Sequence, residues 1–157
     1  MKQILLVIAI SISWSSVYAY TPKIGDTATY LASRLDKNGE LISKHSIAKR
    51  ITSYSQSSKS HLYTATLTFS NGDTQVLDGL IASGLKYNET MRVNCASHGT
   101  VEIVTVDAGT FSTCKIDFSG DGSIVTWYGD VSFGVVKEDR LNSDTNEIYR
   151  TELTSFR

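Results

Sequence analysis

From His61 to Phe69 the chain alternates residue by residue, with Tyr63, Ala65, Leu67 and Phe69 on one side and Leu62, Thr64, Thr66 and Thr68 on the other. A period of two belongs to a half-buried strand, because successive side chains of an extended backbone point to opposite faces. The pattern recurs along the chain and is punctuated by residues that favour tight turns. Asp36-Lys37-Asn38-Gly39 and Ser70-Asn71-Gly72-Asp73 are the strongest of these signals, since Asn, Asp and Gly tolerate the positive φ angles a hairpin turn requires. The expected strands run from Thr27 to Leu35, Leu41 to Tyr54, His61 to Phe69, Thr74 to Leu80, Val101 to Val106, Phe111 to Phe118, Ser123 to Tyr128, Val131 to Lys137 and Glu147 to Phe156. That makes about eight or nine strands in a mainly β, antiparallel domain, with a single proline and no long helical period. Between residues 75 and 87 the pattern is ambiguous, because Val76, Leu77, Leu80 and Ile81 suit a short helix face as well as a strand; a strand followed by a loop is expected.

The N-terminus has a different character. Lys2 precedes an apolar run from Ile4 to Ile12, and Val17-Tyr18-Ala19 offers small or aliphatic residues to a signal peptidase. The run is well short of the roughly 20 residues that cross a bilayer, so residues 1–19 are expected to be a cleavable leader. Residues 20–157 then form one β domain, periplasmic or secreted, with no membrane span after the cut. Removing Lys2 with the leader leaves 14 basic and 16 acidic side chains, a net charge of −2, in no block of either sign. Lys137-Glu138-Asp139-Arg140 alternates in sign and reads as a solvated strand end or turn. With no basic stripe to follow phosphates, nucleic acid is not an expected partner.

Two cysteines in an exported chain point to one disulfide, Cys95 to Cys114, closing a loop of about 20 residues and contributing about 3 kcal/mol in the chain-entropy account. If the strands on either side of Asp107-Ala108-Gly109-Thr110 form a hairpin, Cys114 faces a position near Ile103, and the bond draws residues 94–100 back over the second strand.

Several stretches resemble chemical motifs and fall short of them. Asp117 to Ser123 looks like the first half of a calcium loop with glycine at the sixth place, but Tyr128 stands where the bidentate glutamate belongs, and a β-turn explains the same residues. His45, His61 and His98 have no second ligand at metal spacing, so no metal or other cofactor is expected. Ser132 sits among glycines without the spacing of a nucleophile elbow. Asn88-Glu89-Thr90 has the acceptor pattern for N-glycosylation in a host that performs it. No catalytic signature emerges, so a non-enzymatic role is expected.

Thr126-Trp127-Tyr128-Gly129-Asp130-Val131-Ser132-Phe133-Gly134-Val135-Val136-Lys137, followed by Thr151-Glu152-Leu153-Thr154-Ser155-Phe156, resembles the closing strands of bacterial periplasmic half-barrel proteins related to the outer-membrane lipoprotein carrier. Those proteins often read W, then V-P-x-G-x-V-K, then E-L-x-S-[FY]; here Ser132 replaces the proline. The resemblance implies a strongly curved single sheet, a half-barrel or open barrel, whose concave face takes an apolar small molecule, an acyl chain or a protein segment. Apolar alternates that would line such a groove are Tyr63, Leu67, Phe69, Ile103, Phe111 and Trp127. Trp127, the tryptophan that remains once Trp14 leaves with the leader, is expected to be a buried anchor. Two alternatives stand beside the binding or assembly module. One is a small eight-stranded outer-membrane barrel, opposed by charge on both faces of the second strand; the other is a secreted enzyme without a recognisable motif.

Overall fold

Asp36 closes the first hairpin with its own side chain. Its carboxylate accepts hydrogen bonds from the Asn38 and Glu40 amides, each at 2.8 Å, while Gly39 takes the φ of 86° that the turn requires. The bond from the Glu40 amide is the main reason the Asp36 carboxyl lies below its ordinary range. Asn71 repeats the device, its Oδ1 accepting from the Asp73 amide at 3.0 Å, with Gly72 at a φ of 89°. These turns bound a first meander of β1 (Thr27–Leu35), β2 (Leu41–Ser55), β3 (Ser60–Phe69) and β4 (Thr74–Ala82). A second meander contains β5 (Thr100–Val106), β6 (Gly109–Phe118), β7 (Ile124–Tyr128), β8 (Val135–Asn142) and β9 (Glu147–Phe156). The computed structural model describes residues 21–82, 95–97, 99–118 and 123–157. The leader, the Asn88-Glu89-Thr90 triplet, His98 and residues 119–122 of the calcium-like stretch lie outside the described residues.

The nine strands of the described residues share one antiparallel sheet in the order β4-β3-β2-β1-β9-β8-β7-β6-β5, the two meanders being joined by the β1–β9 ladder. Its edges are β4 and β5, so the sheet is open. A membrane-spanning barrel must pair every strand on both sides, and the eight-stranded outer-membrane barrel is therefore not the architecture of these strands. The sheet is nonetheless strongly curved. The Ala108 amide, at the tip of the β5–β6 hairpin, donates to the Leu153 carbonyl of β9 at 3.2 Å. In a flat sheet β6 and β9, three places apart, would be separated by roughly 14 Å at ~4.8 Å per strand. Register shifts at Thr29/Tyr30 and Trp127/Tyr128 supply part of the bend, as bulges do.

The curl encloses the core. Ala28 and Tyr30 of β1, Val136 of β8, Leu153 of β9 and Val131 are buried together, and Val104, Val106 and Phe111 of the β5–β6 hairpin pack against them. Phe111 also meets Phe156 edge to face, ring centroids 5.9 Å apart.

Four sequence expectations need adjustment. First, β8 begins at Val135, not Val131. Residues 129–134 form a turn held by Gly129 N–H donating to Gly134 O and Gly134 N–H donating to Val131 O, both 2.9 Å. Val131 is apolar because it fills the core from that turn, which a strand-like run of valines does not reveal. Second, Lys137 to Arg140 lies within β8, not at a strand end. Its charges pair with β9 instead of facing solvent alone: Arg150 donates twice to Asp139 at 2.8 Å, and Lys137 lies 3.4 Å from Glu152. Third, the β5–β6 turn is shorter than expected, with Val106 opposite Gly109, so Cys114 faces Val101, not Ile103. Gly109 adopts a φ of 136° and joins the ladder, leaving Asp107 and Ala108 as the turn. Fourth, β4 continues as strand to Ala82, which settles that part of the ambiguous stretch; residues 83–87 lie outside the described set.

Gly129 marks a close approach in the wall of the main core. A Cβ there would fall 2.6 Å from Val136 Cγ2, and Val136 is fully buried. Gly129→Ala is expected to destabilise the fold by about 1–3 kcal/mol through overpacking, readable as a lowered urea midpoint with an unchanged slope.

Candidate functional site

Register across β1, β2 and β3 places Tyr30, Ile47, Lys49, Ile51, Tyr63, Ala65, Leu67 and Phe69 on one face of the sheet. Every second residue of each strand contributes, so this inner face is a direct product of the alternation. Its deep end is closed at Ile51, which is 0% exposed, and Ala65 at 4% lies beside it. Towards the other end it opens at Phe69, 39% exposed, and it also opens sideways at edge strand β4, where Leu77 opposite Ala65 is 37% exposed. His45 stacks near Phe69 at that rim, ring centroids 5.6 Å apart.

A lysine stands in the middle of this apolar surface. Lys49 Nζ is 4.8 Å from the centre of the Tyr30 ring and 5.8 Å from those of Tyr63 and Phe133. Phe133 comes from the turn after β7, held at a φ of 63°, a left-handed conformation uncommon for a bulky residue. That backbone carries its ring to Tyr63, 5.3 Å away and edge to face. Ser132 precedes it in the turn, at the place where proline pre-sets a type II turn and where the resembling proteins have one. Here the Ser132 side chain is buried and donates to the Arg157 carbonyl at 3.1 Å, so it is a tether for the turn, not an exposed nucleophile.

Burial pushes the Lys49 ammonium below its ordinary range, partly opposed by the charge of Glu138, and pushes the Tyr63 phenol up. A base with a depressed folded-state pKa binds fewer protons than it does in the unfolded chain, so stability rises with pH from that depressed value towards the ordinary lysine value. Above about pH 10 the Tyr63 shift works the other way. Lys49→Met is expected to raise the unfolding midpoint at neutral pH and to flatten this alkaline rise, which a pH series of thermal melts would show.

The residues named from sequence divide. Cys95 and Cys114 form the expected disulfide, with an S–S separation of 2.12 Å and Cα atoms 5.6 Å apart. The bond packs with Ile116 and Tyr128 in a second small core. Tyr63, Leu67 and Phe69 share the inner face. Ile103 lies on edge strand β5 and is 69% exposed, and Phe111 belongs to the core against Phe156. Trp127 is on the opposite face of the sheet, since Trp127 pairs with Lys137, Lys137 with Glu152 and Glu152 with Leu31, whose neighbour Tyr30 points inward. It is half-buried, not the buried anchor expected. Its Nε1 donates to Glu102 at 2.8 Å, and Lys115 and Lys137 flank its ring at 5.4 and 5.2 Å. The six groove candidates therefore do not line one surface.

Lys49 and Phe133 were not among those candidates. Lys49 has a sequence signal: it alternates in phase with Ile47 and Ile51, which puts an ammonium on an apolar face. Phe133 has none, because its position depends on a φ that phenylalanine rarely adopts. A further open depression of about 620 Å³ lies between β7 and the β8–β9 hairpin, lined by Ile124, Arg140, Leu141 and Tyr149 among others; none of the sequence candidates reaches it.

No protein-family model matches the sequence, and neither does any curated protein. Solved structures resemble the fold. A protein described as a lipoprotein from Parabacteroides distasonis matches with a TM-score of 0.52 at 12% identity, over 86% of this chain and 96% of that one. A protein described as exported, with a YmcC-like fold, from Bacteroides fragilis gives 0.49 at 14% identity, over 89% and 99%. MucB in the MucA/MucB complex of Pseudomonas aeruginosa gives 0.40 at 16% identity, over 85% of this chain and 51% of that one, so the chain spans about half of it. At these identities the Parabacteroides distasonis structure establishes a shared open-sheet fold.

Proposed function

We propose that the chain is an exported, periplasmic, non-catalytic binding or assembly module that receives an apolar ligand or an extended partner segment on the inner face of its sheet. The carrying observation is the apolar surface that continues past the core from Ala65 through Leu67 to Phe69, with exposure increasing along it, and that extends sideways from Ala65 to Leu77 on edge strand β4. Apolar area that a fold leaves accessible on a concave face is gained back when a ligand covers it. The leader-like N-terminus and the resemblance of the closing strands to lipoprotein-carrier relatives support export and a binding role, and the shared fold with a protein described as a lipoprotein agrees with them. Titration calorimetry with dodecanol tests the reading. Saturable binding that Leu67→Asp weakens at least about tenfold, or about 1.4 kcal/mol, is the expected result. Absence of saturable binding below the solubility limit would count against an apolar site.

A further inference from the structure

Among the described residues three lysines lie over aromatic rings, and one differs from the other two. On the outer face Lys115 and Lys137 flank Trp127, and each has a carboxylate: Glu102 at 3.2 Å for Lys115 and Glu152 at 3.4 Å for Lys137. Lys49, inside, has three rings around it and, among the described residues, no ion pair or hydrogen bond. Glu138 shares the inner face through its register with Thr151 and Ala32, but it does not come within ion-pair distance of Lys49.

An ammonium taken out of water without a counter-ion is costly, and ring faces offset only part of that cost. A methionine of similar length would fill the same space without it. The arrangement is favourable once a monoanion arrives on Lys49 from a ligand whose remainder is apolar, because a partly desolvated cation interacts more strongly with an opposite charge than one in water does. Tyr63, its ring centre 5.8 Å from the ammonium and its phenol protonated at neutral pH like any tyrosine, adds a hydroxyl donor on the same face. One cation and one phenol suit a carboxylate better than a phosphate dianion, which requires more donors.

Direction follows from exposure. Beyond Lys49 the face is closed by Ile51, whereas from Lys49 to His45 it opens past Ile47, Leu67 and Phe69. The four residue steps of β2 from Lys49 to His45 span about 13 Å, a length that an extended chain of about a dozen carbons covers. Building on the binding reading above, we propose that the inner face binds a long-chain carboxylic acid, its carboxylate on Lys49 and its chain along Ile47, Leu67 and Phe69.

Calorimetric titration of the whole chain with dodecanoate and with dodecanol, both below their aggregation limits at neutral pH, tests this. Dodecanoate should bind at least about tenfold tighter than dodecanol. Lys49→Met should abolish that preference while leaving dodecanol binding equal or tighter, and Lys49→Arg should retain it, with circular dichroism confirming the fold of each variant. Equal affinities in the unaltered protein, or a carboxylate preference that survives in Lys49→Met, would overturn the assignment of Lys49 and leave the apolar-site reading standing. Failure of both amphiphiles to bind would overturn both.

Discussion

Tyr30→Ala is expected to lower the unfolding free energy by about 3–5 kcal/mol, the cost of truncating a large aromatic side chain in a core that cannot collapse around the space left. Among the described residues Tyr30 is the bulkiest fully buried side chain, 1% exposed, on the strand that joins the two meanders. Its neighbours on that face of β1 are Ala28 and Ala32, whose single methyl groups cannot reach into the vacated volume. Leu153 is its register partner on neighbouring β9, and Val136 of β8 packs in the same buried cluster. The loss also removes the nearest ring over Lys49, 4.8 Å away, leaving that ammonium less compensated. Urea denaturation of both proteins measures the difference. A loss below about 1 kcal/mol would mean that the two meanders do not share the core derived above.

Replacing both cysteines by alanine is expected to cost about 3 kcal/mol. Their separation of 19 residues closes a loop that restricts the unfolded chain, and the native contacts of the bond are few beside that effect. The consequence should be uneven across the sheet. The closed loop contains all of β5, an edge strand whose ladder is with β6 alone, and the bond ties residue 95 to the same β6. Gly99 reinforces the tie. A Cβ at Gly99 would run into the Lys115 carbonyl, so the backbone there lies directly against β6. Hydrogen exchange should therefore accelerate first in the amides of β5, with β1 to β3 keeping most of their protection. Uniform acceleration over all nine strands would show that the bond stabilises the domain as one unit instead of pinning its edge. Intact mass after thiol blocking, with and without reductant, verifies that the two sulfurs are bonded in the native chain.

These two outcomes depend on different kinds of information in the chain. Alternation placed β1, β2 and β3 within a residue or so of their ends, because which side of an extended backbone a residue occupies is a local property, and Asp36 to Gly39 and Asn71 to Gly72 announce turns with their own hydrogen bonds and positive φ angles. The disulfide was legible from the cysteine count and the leader-like N-terminus. The inner face of β3 was legible in the phase of Tyr63, Ala65, Leu67 and Phe69.

The arrangement of those strands was not local. Whether Val131 starts a strand or fills a core from a turn depends on contacts with β1 and β9, more than a hundred positions away in the case of β1. Trp127 and Tyr128 look equally suited to an interior, and the ladders with β6 and β8 decide which side each serves, Trp127 lying between Lys115 and Lys137 and Tyr128 beside Cys114. Ile103 and Phe111 read alike as apolar strand residues, yet the β5–β6 register puts Phe111 opposite Val104 on the face that packs against the core and Ile103 opposite Ser112 on the other, exposed face. The setting of Lys49 was half visible. Its phase put it on the apolar face, but Tyr30, Tyr63 and Phe133 come together around it only when the β2 ladders form and a left-handed Phe133 swings in from the turn after β7. Periodicity is a property of one strand and is written in it; partners, bends and cages are properties of strands distant in sequence, and only the assembled sheet brings them within reach of one another.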